Sequence, residues 1–268
     1  MSTAPNPVTD RASDLLTSLT EIRARVKEAT PSSSTLKPTL VAVSKYKPAS
    51  DVQACYDAGQ RDFGENYVQE LVEKAAQLPA DIRWHFIGTL QSNKSKILAS
   101  IPNIYAIQTV TSIKAAAALN KSIPTERAVP LNILLQVNTS GEDVKSGLPP
   151  LIPSSPSSDS DLVALSKHII TQCPRLHLQG LMTIGSLTES LSASEKENRD
   201  FATLVQTRDA LQDILRAEVK EEGAWGVEGR LLLSVGMSSD FEAALAAGSD
   251  VVRVGTGIFG ARHLKSQS

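Results

Sequence analysis

Residues 39–45 read TLVAVSK, a short run of aliphatic and β-branched residues that ends in a serine and a lysine. Similar apolar runs recur along the chain, and stretches with helical spacing lie between them. This alternation predicts strands joined by helices, and strands that are apolar on both faces are typical of a parallel sheet covered by helices. The predicted strands are Thr39–Lys45, Arg61–Glu65, Trp84–Gly88, Ile104–Val110, Leu131–Asn138, Leu176–Ile184, Arg230–Met237 and Asp250–Gly255.

Eight such strands in 268 residues predict an α/β protein, a (β/α)8 TIM barrel that forms a single domain over residues 1–268. A doubly wound open sheet is the alternative, and the number and length of the strands favour the barrel. An extra helix precedes the barrel, and residues 1–35 form this leading helix and its linker. Its apolar stripe consists of Ala12, Leu15, Leu16, Leu19, Ile22 and Val26.

Three further features mark the connections between strands. The capping box of Ser194 and Glu197 predicts the start of one helix, and Asp240–Ala247 before Gly248 predicts a short one. The stretch at residues 148–161 is rich in proline and serine and has no periodicity. It is predicted to be a mobile insertion loop on one rim of the barrel.

Composition limits the classes of function. With 27 basic and 29 acidic residues the net charge is −2, which argues against nucleic-acid binding as the main role. Cys55 and Cys173 are too few for a disulfide framework and fit reduced, buried thiols. No apolar run reaches the roughly 20 residues that span a bilayer, and no signal peptide is recognised. We therefore expect a cytoplasmic protein without membrane contacts, and a mitochondrial pool stays open.

Lys45 is the first candidate for chemistry, because active sites of such barrels lie at the carboxyl ends of the strands. Side chains alternate along a strand, so Val41, Val43 and Lys45 share a face. If the valines fill the interior, Lys45 points into the mouth of the barrel. Loss of water there would lower the pKa of the amine and allow Schiff-base chemistry. The alternative is a lysine that has reached solvent at a strand end.

Arg253 repeats this pattern on the last strand, where it shares a face with Val251 and Gly255. An arginine inside a barrel is unfavourable unless it meets an anion or a hydrogen-bond acceptor. Two interpretations stay open at this point, a contact with a ligand and an ion pair that closes the barrel.

The run GTGIFG at residues 255–260 matches the dinucleotide pattern G-x-G-x-x-G, but no second strand or acidic residue follows, and we reject that match. A phosphate cup fits better, since the loops after the last two strands of such barrels frequently bind phosphate. Ser238, Ser239, Gly255 and Thr256 could supply the donors. Alternatively, Ser239 or Asp240 only caps the helix that follows.

Asn66 follows the second strand, where it either contacts a ligand or caps the next helix. His85 has no partner with metal-ligand spacing, so we expect a core or rim histidine and no metal site. A lysine, a phosphate cup and an inward arginine on one rim together suggest a phosphorylated aldehyde. Pyridoxal 5′-phosphate (PLP) is the obvious candidate.

The chain also resembles the pyridoxal phosphate homeostasis protein family, the small single-domain relatives of alanine racemase with fold type III. The matching stretches, which run in order through most of the chain, are LVAVSKYKP (40–48), FGENYVQE (63–70), WHFIGTLQSNK (84–94), QVNTSGEDVKSGL (136–148), GLMTIG (180–185), LSVGMSSDFEAAL (233–245) and VRVGTGIFGAR (252–262).

This resemblance implies that Lys45 forms the internal aldimine, a Schiff base with PLP, and that Arg253 faces the pyridine nitrogen. It also implies that Ser238, Gly255 and Thr256 help to hold the phosphate, with Asn66 and Met237 lining the pocket. An arginine beside that nitrogen keeps the ring a weaker electron sink than a carboxylate would.

Two functions follow from the resemblance. The favoured one is a PLP carrier or regulator in cellular PLP homeostasis, without catalytic residues or turnover of its own. The alternative is a PLP-dependent enzyme similar to amino-acid racemases. Full racemases of this fold add a carboxyl-terminal β-domain with a second acid/base residue, which is not expected here because only residues 263–268 follow the last motif. A third reading, a cofactor-free barrel for sugar phosphates, would need Glu65 as a rim base and leaves Lys45 unexplained.

The expected partners are PLP and PLP-dependent apo-enzymes. Without the β-domain that carries the usual dimer surface, a monomer is expected. The sequence leaves open whether the protein delivers, buffers or senses PLP.

Overall fold

The apolar runs form strands in a computed structural model that describes residues 7–142, 145–151, 159–186, 198–219 and 223–261. Each predicted strand is present. Their bounds are β1 Thr39–Val43, β2 Asp62–Glu65, β3 Arg83–Phe86, β4 Ile104–Val110, β5 Leu131–Gln136, β6 Leu176–Met182, β7 Leu232–Ser234 and β8 Val251–Val254.

All eight strands are parallel, and each pairs with the next one in the chain. The barrel closes where β1 pairs with β8, with Thr39 opposite Val251. This closure confirms the predicted (β/α)8 barrel over the open doubly wound sheet.

Helices lie between the strands and cover their outer faces, since the apolar faces of strand and helix must be buried against each other. Their bounds are α1 Pro7–Ala29, α2 Ala49–Asp57, α3 Val68–Gln77, α4 Ser95–Ala99 after a 3-10 turn at Ser92–Lys94, α5 Ile113–Ser122, α6 Asp161–Gln172, α7 Arg199–Glu218, α8 Phe241–Ala246 and α9 Thr256–Phe259.

The two faces of β1 show how the barrel is built. Leu40 and Ala42 belong to the main core between sheet and helices. Val41 and Val43 point the other way, so that a Cβ on Gly64 of β2 would lie 3.0 Å from Val41 and 3.4 Å from Val43. The expectation that the two valines fill the barrel interior is therefore confirmed.

The leading helix α1 packs against α2, α8 and α9. Its buried residues Leu15, Leu19, Ile22 and Val26 follow the predicted stripe, whereas Leu16 of that stripe is exposed. Because these contacts lie beside the closure between β1 and β8, the helix is part of the outer layer of the barrel.

The loops depart from the sequence predictions in two places. Strand β1 ends at Val43, so Lys45 lies in the turn after the strand. Helix α7 begins after Asn198, whose side chain accepts hydrogen bonds from the backbone N–H groups of residues 200 and 201, and the predicted capping box at residues 194–197 lies outside the described residues.

The predicted insertion at residues 148–161 is described only at its two ends, since residues 152–158 lie outside the described part. Leu148 is buried and pairs with Val137. Ser160 caps α6 by accepting a hydrogen bond from the N–H of Val163. The two described ends thus contact the segment after β5 and the first turn of α6.

Candidate functional site

The predicted site residues all lie near or after the carboxyl ends of four strands, at the carboxyl-terminal rim of the barrel. Lys45 follows β1, and Asn66 follows β2. Met237 and Ser238 follow β7. Arg253 lies within β8, with Gly255 and Thr256 directly after it.

A cavity of about 250 Å³ opens at this rim, over the ends of β2 to β6. Of the predicted site residues, all of which are described, only Asn66 lines it. The other lining residues are Ile87, Gly88, Thr89, Thr109, Gln136, Val137, Asn138, Thr139, Ser140, Lys145, Ser146, Thr183, Ile184 and Gly185.

Asn66 contributes a polar atom that has no protein partner. Its buried Oδ1 lacks a hydrogen bond to any described residue. Asn66 does not cap α3, because the cap position is Tyr67 and no side chain caps that helix. Gly88 packs so closely on Asn66 that a Cβ there would lie 1.9 Å from the Asn66 carbonyl oxygen. A buried acceptor without a partner is costly, so it marks a place for a ligand donor or an ordered water.

Arg253 is buried beneath the rim, with 4% of its surface exposed. Its Nη2 donates to the carbonyl oxygen of Thr183 at 2.8 Å, and its Nη1 donates to Ser234 Oγ at 2.7 Å. Both acceptors are neutral, and no described carboxylate forms an ion pair with Arg253, which disfavours the ion-pair interpretation. Thr183 also lines the cavity, so Arg253 lies directly behind its wall.

Burial lowers the pKa of Arg253 to about 10, and the nearby carboxylate of Asp240 partly opposes this shift. The guanidinium therefore stays charged at neutral pH. A charged group held by neutral acceptors keeps unused capacity to interact with an anion or a ring nitrogen.

A chain of hydrogen bonds runs from Arg253 through the barrel interior. Ser234 Oγ donates to Gln108 Oε1 at 2.6 Å, and Gln108 Nε2 lies 3.0 Å from His85 Nδ1. His85 Nε2 lies 3.0 Å from Asp62 Oδ1. Since the Gln108 amide must donate to Nδ1, the network assigns the imidazole proton to Nε2, facing Asp62. His85 is buried in the core, one of the two places, core or rim, that the sequence predicted.

This chain of hydrogen bonds ends with Asp62, at the opposite, amino-terminal opening of the barrel. Asp62 there also accepts hydrogen bonds from Arg83, beside a second cavity of about 90 Å³. Burial alone would raise the pKa of Asp62, but the hydrogen bonds from His85 and Arg83 outweigh it and lower the pKa below the usual value.

The loops after β7 and β8 meet at Ser238. Its Oγ lies 3.3 Å from the backbone nitrogens of both Gly255 and Gly257, whose N–H groups donate to it. Asp240 Oδ1 accepts from the N–H of Met237 at 2.6 Å and makes no side-chain cap to α8. Asp240 therefore shapes the loop instead of capping the helix, and backbone N–H groups converge where the phosphate cup was predicted.

Glu65 does not lie at the mouth of the barrel. It is fully buried on the outward face of β2, where its Oε1 accepts from Ser44 Oγ at 2.7 Å and from Lys74 Nζ at 2.6 Å. It does not line the described cavity. This placement argues against Glu65 as a rim base for sugar-phosphate chemistry.

Glu65→Gln should remove a pH-dependent part of the free energy of unfolding. Burial raises the pKa of Glu65 to about 7, against the opposing effect of Lys74. The stabilisation that protonation of Glu65 gives the folded state is complete below pH 4.5, the pKa of this side chain in the unfolded chain. It is lost as the pH rises through about 7, the pKa in the folded state. We expect urea titrations at pH 5 and pH 7 to show a difference on the order of 2 kcal/mol in the parent protein. If Glu65→Gln shows the same difference in the free energy of unfolding between the two pH values, Glu65 is not its source.

Sequence reasoning missed three groups near the site. Thr183 was not singled out, although it is a polar residue at the end of an apolar strand. Gln108 was also missed, and its signal is a glutamine inside the apolar run of β4. Tyr46 and Tyr67 are exposed at the rim, with ring centroids 5.0 Å apart and their hydroxyl groups in contact. Each follows a predicted site residue directly in sequence.

No described helix is long and apolar enough to cross a membrane. Within the described ranges, no group of three or more histidine, cysteine, aspartate or glutamate side chains could hold a metal ion.

The fold and the rim define a class of proteins, the barrels related to the N-terminal domain of alanine racemase. The family model for "Alanine racemase, N-terminal domain" matches residues 17–263. The chain belongs to the pyridoxal phosphate homeostasis protein family, which confirms the resemblance seen in the sequence motifs.

Three relatives carry this assignment. The pyridoxal phosphate homeostasis protein of Schizosaccharomyces pombe is 43% identical over 229 residues, which cover 85% of this chain and 86% of that protein. The protein of that name from Homo sapiens is 43% identical over 233 residues, 85% of this chain and 78% of that one. PipY of Synechococcus elongatus PCC7942, solved with PLP bound, superposes with a TM-score of 0.68 and 31% identity, covering 92% of this chain and all of PipY.

Proposed function

We propose that the protein binds pyridoxal 5′-phosphate at the carboxyl-terminal rim, holds it through the amine of Lys45, and serves intracellular PLP homeostasis. The observation that carries the proposal is the buried, charged Arg253 behind the cavity wall, on the rim that also carries Lys45. A related chain, PipY, has been solved with PLP bound.

The residues present fit this group. PLP supplies an aldehyde that bonds reversibly to a primary amine, and a phosphate that needs several donors. Lys45 offers the amine. Ser238, Gly255 and Thr256 would hold the phosphate, because hydroxyl and backbone N–H groups already converge there.

The remaining predicted residues would orient the ring. Arg253 would face the pyridine nitrogen, and its charge would keep that nitrogen unprotonated. Asn66 and Met237 would line the pocket, and the partnerless Oδ1 of Asn66 could accept a hydrogen bond there.

The proposed role is a carrier without turnover of its own. Lys145 is the only titratable side chain among the described residues that line the cavity, and its Nζ already donates to Glu142 and to the Gly185 carbonyl oxygen. Two-base proton exchange needs a ready acid/base group on each face of the substrate carbon. Incubation with pure L-amino acids should therefore give no D-enantiomer, and sustained turnover would favour the racemase-like alternative.

We further propose that the protein acts as a monomer within the cell and passes PLP to apo-enzymes. Reduced, buried Cys55 and Cys173 are compatible with a reducing compartment. Exchange of PLP with an added apo-enzyme, followed by the recovery of that enzyme's activity, tests the transfer.

The binding proposal is tested by titrating the purified protein with PLP. A new visible absorbance band should appear at one PLP per chain. Borohydride reduction should then fix the mass of the cofactor onto the peptide that contains Lys45. Labelling of a different peptide, or no labelling, would refute the proposed site.

A further inference from the structure

A buried group of charged side chains lies behind the turn that carries Lys45. Lys74 on α3 is 5% exposed, and its Nζ donates to the Ser44 carbonyl oxygen, to Glu65 Oε1 and to Glu70 Oε1 at 2.6–2.7 Å. These acceptors use all three protons of the ammonium group. The residue directly before Lys45 is thus anchored to α3 through its backbone.

The residue directly after Lys45 is anchored to the same helix. The backbone N–H of Tyr46 donates to Glu70 Oε1 at 2.7 Å. Tyr46 has a φ of 62°, a left-handed conformation that is unfavourable for a bulky residue. The contact between the Tyr46 and Tyr67 rings supports this conformation from the other side. The turn at residues 44–46 is therefore held at both ends.

Stability alone does not account for this arrangement. A buried ammonium group loses its hydration, and an apolar side chain of similar size would usually fill such a space at least as favourably. The charged group does fix the conformation of the turn, because Lys74 and Glu70 each form a hydrogen bond with its backbone. The backbone is therefore held by hydrogen bonds on both sides of Lys45.

We propose that Glu70 and Lys74 are positioning residues that hold the turn at residues 44–46 so that the Lys45 amine meets its carbonyl ligand in one orientation. This inference rests on the proposed function, in which Lys45 bonds to the PLP aldehyde. Neither residue contacts the ligand in this role, and both act through the backbone of the turn.

Glu70→Ala tests the role of the acceptor. It removes the acceptor of the hydrogen bonds from Tyr46 and Lys74 at a partly exposed helix position and keeps a good helix former there. Glu70→Gln keeps an oxygen acceptor and should restore it. Glu73→Ala is the matched control, because Glu73 lies on the same helix and bonds only to Gln69 among the described side chains.

The measurement is the rate at which the visible band appears when PLP is added to cofactor-free protein, together with the wavelength of the band. Glu70→Ala should slow the rate about tenfold and shift the band, since a loosely held reactive group attacks less often in the productive geometry. Glu70→Gln and Glu73→Ala should behave as the parent protein does. If Glu70→Ala unfolds below the assay temperature, Glu70→Asp takes its place. Its shorter side chain withdraws the acceptor oxygen, and the visible band should again appear more slowly than in the parent protein.

A Glu70→Ala rate equal to that of Glu73→Ala, with normal labelling of Lys45, would overturn this inference alone. Failure of Glu70→Gln to restore the rate would also overturn the inference, because the loss of the acceptor oxygen would then not be the cause of the slow rate. Absence of Lys45 labelling in the parent protein would overturn the proposed function and this inference with it.

Discussion

Lys45→Ala abolishes the visible absorbance of the PLP-loaded protein and prevents borohydride labelling, if Lys45 carries the cofactor as proposed. Alanine has no amine, and a covalent contribution is lost that the phosphate cup and Arg253 cannot replace. We expect the affinity for PLP to fall at least about a hundredfold, the equivalent of about 2.7 kcal/mol. Absorbance titration and mass spectrometry after reduction measure both effects.

The fold should survive this change. Lys45 lies in a turn and is half-buried, so the free energy of unfolding should change by less than about 0.5 kcal/mol. Lys47→Ala is the matched control, because Lys47 lies two residues further on and its Nζ donates to the Ala261 carbonyl oxygen. Lys47→Ala should keep the band. Loss of the band in both variants, or gross unfolding of Lys45→Ala, would point to a structural role for Lys45.

Arg253→Met should change both the cofactor spectrum and the stability. Methionine fills much of the volume but leaves the Thr183 carbonyl oxygen and Ser234 Oγ without their donor in a buried place. We expect a loss of about 2 kcal/mol in the free energy of unfolding. The electronic environment of the bound ring should change as well, so the visible band should shift and PLP should bind about tenfold more weakly.

Arg127→Met separates these two effects. Arg127 also donates to backbone carbonyl oxygens, those of Val129 and Ile104, but it lies at the amino-terminal end of the barrel. Arg127→Met should lower the free energy of unfolding without shifting the visible absorbance band. A shift of the band in Arg127→Met, or an unchanged titration in Arg253→Met, would contradict the contact proposed between Arg253 and the ring.

The strands and their order could be predicted because they depend on local pattern. Apolar runs between helical stretches located β1 to β8, and the alternation along β1 placed Val41 and Val43 inside the barrel. The ends of strands were less predictable. Ser44 and Lys45 look like a continuation of β1, but the chain turns there, and the N–H of Lys47 donates to the Ser44 carbonyl oxygen at 3.0 Å.

The site was predictable only as a set of strand ends. Lys45 and Arg253 were predicted from their positions on strands, and Ser238 and Asn66 from the loops that follow β7 and β2. Glu65 looked like a rim carboxylate, but it is buried beneath α3, where it accepts a hydrogen bond from Lys74. The sequence alone does not show which helix packs over this end of β2. Thr183 and Gln108 gave weak local signals because each is a single polar residue in an apolar run.

Local pattern was enough to predict the barrel, its strands and the positions of Lys45, Arg253 and Ser238, because side-chain alternation and turn chemistry act over a few residues. Only the tertiary structure decided which of these groups are joined. Gln108 and Ser234 are 126 residues apart and meet because the barrel closes. Lys74 reaches the Ser44 carbonyl oxygen across 30 residues because α3 packs against β2, the strand that pairs with β1. Such contacts follow from packing in three dimensions, which no local pattern encodes.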